Sequence, residues 1–204
     1  VDNVVPTQTS IGFGITVTDM DQVGAVSAIE LYQGETLVEA LTDLSVREFT
    51  GLLSNNAYQI KVTYTYDLND GLGEQTEVVT YNTDSVAKAV PTVEINTVVP
   101  TQDSVSFNID VTDEDTVGSI TAIELYQGET LIEALTDLSV REFTGLLSNN
   151  EYTIKVTYTY DLNDGVGEQD HITSQAATTL PQDILISSLS VLNQQISTGD
   201  TVIF

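Results

Sequence analysis

Residues Val4–Gln75 return as Val98–Gln169, 94 residues further along the chain. Four runs recur letter for letter: YQGETL, LTDLSVREFTGLLSNN, IKVTYTYDLNDG and GEQ. A period of this length is too long for a solenoid turn and has the size of a small domain with its own core. The chain must therefore fold twice into one shape. Its 204 residues divide into repeat 1 over 1–86, repeat 2 over 87–180, and a tail over 181–204. The tail reads as the start of a further repeat, TVIF aligning with Ser104–Phe107, or as a C-terminal strand pair of repeat 2. Val1 falls mid-pattern, so the chain reads as an excerpt from something longer.

Long helical periodicity is missing. Short alternating runs rich in Val, Ile, Thr and Tyr alternate with turn residues, which predicts strands. In repeat 1 these fall at 2–7, 10–18, 25–33, 36–41, 46–52, 57–67 and 74–82. Turns fall at Asp19–Gly24, Gln33–Gly34, Ser54–Asn56 and Asn69–Gly73. Thr36–Leu44 also has helical spacing, which leaves a short helix as its alternative. Seven short strands in each repeat predict an all-β chain of two tandem seven-stranded β-sandwiches.

The copies differ at 15 positions between 4–76 and 98–170, and the differences are informative. Gly12, Gly14 and Thr16 become Ser106, Asn108 and Asp110, while Phe13, Ile15 and Val17 persist as Phe107, Ile109 and Val111. Side chains alternate faces along a strand. The changed positions therefore point outward, and 11, 13, 15 and 17 point inward.

With 31 acidic against 5 basic side chains, the formal charge is −26. Such a chain repels nucleic-acid phosphate and anionic membranes. No apolar run reaches the roughly 18 residues of a membrane span, so membrane insertion is not expected of this segment. Cysteine is absent, and His171 is the single histidine, replaced by Glu77 in repeat 1. Thiolate sites, zinc sites and nucleophilic triads have no material. Paired carboxylates remain for glycoside chemistry, but short-looped sandwiches lack the cleft it needs. No enzyme activity is expected.

The run Gly51-Leu52-Leu53-Ser54-Asn55-Asn56-Ala57-Tyr58, followed by Gln59-Ile60-Lys61-Val62, resembles the fibronectin type III signature, and Gly145–Tyr152 repeats it. The resemblance implies that Leu52 with Tyr58, and Leu146 with Tyr152, form the tyrosine corner between strands E and F. It places Ile29–Tyr32 on strand C. Phe13 and Phe107 stand where that family usually has a buried Trp on strand B, and Ser54 replaces its turn proline. Near-identical copies with an acidic surface are similar to tandem modules of bacterial surface or secreted proteins, which implies an extracellular location.

The loops 19–22 and 67–71 carry Asp19, Asp21, Asp67, Asn69 and Asp70. Their counterparts are Asp113, Asp115, Asp161, Asn163 and Asp164. In the implied topology both loops lie at one end of the module, where clustered hard oxygens suit calcium. Plain turns are the competing account, since Asn-Asp-Gly tolerates positive φ. No cofactor is required on either account. Tyr58, Ile60, Val62, Tyr64 and Tyr66 share one strand face, read as core. On the opposite face Glu30 meets Lys61 as a cross-strand ion pair, and Tyr32 and Tyr126 are the candidate exposed aromatic contacts.

These observations lead to a non-catalytic spacer, stalk or adhesion region of a bacterial extracellular protein, with neighbouring repeats of the same chain as its partners. The alternatives are a module binding an extracellular protein or glycan, and an accessory domain of a secreted polysaccharide-degrading enzyme.

Overall fold

A computed structural model describes residues 1–183. The expectation for 181–204, a further repeat or a strand pair, lies outside the described residues from 184 onward. Repeat 1 comprises β1 (Asp2–Pro6), β2 (Ser10–Gly14), β3 (Gly24–Gln33), β4 (Thr36–Ala40), β5 (Glu48–Thr50), β6 (Ala57–Tyr66) and β7 (Gln75–Asp84). Repeat 2 comprises β8 (Thr92–Pro100), β9 (Ser104–Thr112), β10 (Gly118–Gln127), β11 (Thr130–Ala134), β12 (Glu142–Thr144), β13 (Glu151–Tyr160) and β14 (Gln169–Thr178). Each repeat pairs a three-stranded sheet with a four-stranded one. The orders are β1-β2-β5 and β4-β3-β6-β7 in repeat 1, and β8-β9-β12 and β11-β10-β13-β14 in repeat 2.

Thr36–Leu44 does not form a helix. Thr36–Ala40 is an edge strand, held by β3 through the pairs Gln33↔Thr36 and Glu30↔Ala40. Its side chains stay largely exposed, so the helical spacing finds no apolar surface to serve.

The inward faces of the facing sheets supply each core. Ile11, Phe13 and Phe49 meet Ile29, Leu31, Ile60 and Val62 in repeat 1. Phe13 stacks on Phe49 at 5.4 Å between ring centroids, and Phe107 on Phe143 at 5.7 Å. Such aromatic pairs add about 0.5–1.5 kcal/mol beyond their buried area.

The expected face alternation holds through Ile15 and Ile109, the last residues of that face packed on either core. It fails at Val17 and Val111, which are 46% and 40% exposed. At those positions the strand has left the core.

The two repeats also differ in strand length. β9 runs to Thr112 because the first residues of β8 pair with it, Thr92↔Thr112 and Val93↔Val111. β2 stops at Gly14. The tyrosine stripe follows the same difference: Tyr158 and Tyr160 are buried, whereas Tyr64 and Tyr66 are half-buried.

Candidate functional site

The tyrosine corner is built as the sequence implies. The N–H of Leu53 donates to the Tyr58 hydroxyl at 3.0 Å, and the N–H of Leu147 donates to the Tyr152 hydroxyl at 3.0 Å. Asn55 and Asn149, each one residue into the turn, sit at φ of 53° and 55°, a left-handed region that asparagine tolerates. Ser85 and Thr179 then tie the end of each repeat to its own corner. Their hydroxyls donate to the carbonyls of Leu53 and Leu147, both at 2.6 Å.

At the opposite end, the acidic loops are closed by their own carboxylates. Asp67 accepts from the N–H of Asn69 at 2.8 Å and Asp70 from that of Leu72 at 3.0 Å. Asp161 and Asp164 repeat this on Asn163 and Val166. Asn69 and Asn163 lie at φ of 54° and 53°, so the turn itself requires them. Asp19 accepts from the Tyr64 hydroxyl at 2.5 Å and from the N–H of Gly24 at 3.0 Å. The Tyr64 hydrogen bond holds the Asp19 carboxyl below its ordinary pKa. Burial pushes the Asp113 carboxyl up, but hydrogen bonds from Tyr158, Val117 and Gly118 outweigh it and the net shift is downward. Burial and the bond to Asp113 in turn push the Tyr158 hydroxyl up to about 12.

Of the residues expected to share calcium, Asp19, Asp67, Asp70, Asp113, Asp161 and Asp164 thus face turn and strand partners of their own repeat. Among the described residues, no three carboxylate or imidazole groups come together as a metal ion would need.

Among the described residues, these loops in repeat 2 make contacts that their copies in repeat 1 do not. They dock on the corner of repeat 1. Ser54 donates its N–H to the carbonyl of Asn163 at 2.9 Å and its hydroxyl to that of Leu162 at 2.6 Å. The Asn56 amide donates to the carbonyl of Asp164 at 3.0 Å, and the Asn163 amide to that of Leu52 at 3.3 Å. Asp115 accepts from the Gln8 amide of repeat 1 at 2.8 Å and, within its own repeat, from the N–H of Ala89 at 2.6 Å. The Gln8 bond, then the Ala89 bond, hold the Asp115 carboxyl below its ordinary pKa, with Lys88 adding to the effect.

Burial records the docking on identical residues. Ser54 is 0% exposed and Leu53 half-buried, while Ser148 is half-buried and Leu147 is 66% exposed. Leu162 is half-buried, and Leu68 is 55% exposed.

The inter-strand face matches its expected register. Glu30 pairs with Lys61 in the ladder, and the charges meet at 3.3 Å; Glu124 and Lys155 meet at 3.8 Å. These half-exposed pairs are worth under about 1 kcal/mol. Tyr32 and Tyr126, expected as exposed contacts, are half-buried. The ammonium of Lys61 lies 5.5 Å from the Tyr32 ring and that of Lys155 5.6 Å from the Tyr126 ring, so each ring face is already covered by a cation.

Sequence reasoning singled out the loop carboxylates and missed their receptor, the Leu53, Ser54 and Asn56 turn and Gln8. The available signal was identity. LLSNN and DLNDG are both unchanged between copies, although both are turns.

No family model matches the sequence, and no curated protein matches it in sequence. Solved structures similar to the chain include the fibronectin(III)-like modules of Clostridium thermocellum CbhA, 18% identical over 86% of this chain and 88% of that one, with a TM-score of 0.29. A two-domain fibronectin type III segment of chicken tenascin is 14% identical over 87% of this chain and 98% of that one, TM-score 0.32. The central fibronectin-III array of RIM-binding protein is 12% identical over 90% of this chain and 69% of that one, TM-score 0.28. With β1-β2-β5 facing β4-β3-β6-β7 in repeat 1, β8-β9-β12 facing β11-β10-β13-β14 in repeat 2, and a tyrosine corner in each, the chain is a tandem of two seven-stranded immunoglobulin/fibronectin III-like β-sandwiches.

Proposed function

We propose that the chain is a non-catalytic spacer, a semi-rigid rod segment of an extracellular protein that holds other parts of that protein at a set distance. The observation that carries this reading is the joint between the corner of repeat 1 and the loops of repeat 2. A chain that merely tethers two binding modules has no need of it, since a flexible linker suffices. The joint also argues against a ligand gripped by the loop end of both copies, because one of those ends is occupied by its neighbour.

The test is the distance between spin labels at Leu37→Cys and Leu131→Cys, both exposed positions in a chain without cysteine. A single narrow distance distribution is expected, and it broadens when Ser54→Ala and Asn56→Ala remove donors from the joint. A broad distribution in the chain with its joint intact overturns the spacer reading.

A further inference from the structure

Each half of the joint is present twice, and only one of each pair is used in the contact just described. The corner Leu53, Ser54 and Asn56 meets the loop Leu162–Gly165. The same corner recurs at Leu147, Ser148 and Asn150, and the same loop at Leu68–Gly71.

The other two halves, which no hydrogen bond between repeats engages among the described residues, are already in shape. Asn150 is held by the Gln127 amide at 2.9 Å and donates to the Ser148 carbonyl at 2.8 Å. Asn56 is likewise held by Gln33 at 2.7 Å and donates to the Ser54 carbonyl at 2.6 Å. Asp70 closes its loop on Leu72 just as Asp164 closes its own on Val166. The side contact is kept as well: Gln8 and Asp115 have counterparts in Gln102 and Asp21.

We infer that the loop end of repeat 1 is a docking surface for the tyrosine-corner turn of another module of this kind, and that the occupant is the repeat 2 corner of a second copy of the chain. The contact is head to tail. Its two faces are different patches, so it is not a two-fold contact, and each added copy leaves one face of each kind free for the next.

The contact is weak, since net hydrogen bonds contribute about 0.5–1.5 kcal/mol each. Within one chain a short linker supplies an effective concentration on the order of millimolar. Between chains the same occupancy needs about millimolar protein. It also needs salt, because both partners are strongly acidic. At about 1 M salt the Debye length falls to about 3 Å.

The proposal extends the spacer reading but is tested separately from it. The Ala57→Cys, Val166→Cys pair, both exposed positions beside the joint, selects the shortest bis-maleimide that links it within one chain. The Leu72→Cys, Glu151→Cys pair, the equivalent exposed positions, is then treated in the full chain with that reagent at about millimolar protein and about 1 M salt. A ladder of dimers and higher species is expected, linked 72 to 151, at about tenfold the yield of a Val78→Cys, Glu151→Cys control. The proposal is overturned by equal yields in the two pairs, by linkage chiefly 72 to 72, or by a cysteine at 151 that a maleimide dye does not reach. None of those outcomes alters the spin-label distance on which the spacer reading stands.

Discussion

Tyr58 and Tyr152 show how much a single side chain was readable from sequence. A leucine, a turn and a tyrosine before an alternating strand implied the corner, and the hydroxyl duly receives a backbone N–H. Replacing Tyr152 by Phe keeps the ring and strands the N–H of Leu147. An unsatisfied donor costs about 1–3 kcal/mol, so Tyr152→Phe is expected to lower the urea stability of the second module by about that amount. An unchanged midpoint and slope would mean that water replaces the hydroxyl. The loop carboxylates were legible only in part. Asp67, Asp70, Asp161 and Asp164 were recognisable as turn formers, because Asn-Asp-Gly demands that chemistry. That Asp115 crosses to Gln8 was not, since no local pattern says which surface a loop tip will meet.

Strand positions were readable because one face of each strand is apolar and the pleat has a fixed period. The ends of strands were less so. Val17 and Val111 continue the alternation in sequence yet lie outside the core, and only the facing sheet decides where burial stops. The helical alternative at Thr36–Leu44 lost to an edge pairing that exists only because β3 is there to receive it. Glycines mark where the sheet itself is tight. A Cβ on Gly118 would lie 2.4 Å from the carbonyl oxygen of Thr159 and 2.6 Å from Cβ of Tyr160. Backbone cannot yield there, so Gly118→Ala is expected to cost about 1–3 kcal/mol. By contrast, a Cβ on Gly12 meets nothing closer than 3.7 Å. Gly12→Ser, the residue already present at 106, is expected to stay within about 0.5 kcal/mol. Equilibrium unfolding of the two variants separates these outcomes, and equal effects would contradict the packing account.

At the scale of the whole chain, the duplication announced two domains but not how they meet. The joint became visible only when identical residues were found with different burial. Its response to acid follows from Asp115. The bond from Gln8, made only on docking, lowers the Asp115 pKa; such a carboxyl favours the docked state above its undocked pKa, and that contribution disappears as pH falls through the docked value. The spin-label distance is therefore expected to stay narrow at neutral pH and to spread only as pH falls below the ordinary carboxylate range. Asp115→Asn, which cannot titrate, should show no such step while circular dichroism still reports folded sheets. Retention of the step in that variant would assign it to another carboxylate. The placing of the joint has a further consequence, in heredity. Both mating surfaces lie inside one repeat length, one at each end of it. Unequal crossing-over between the matching stretches of coding DNA therefore gains or loses whole periods with every seam still matched, so length can vary between generations while the way the pieces fit is inherited unchanged.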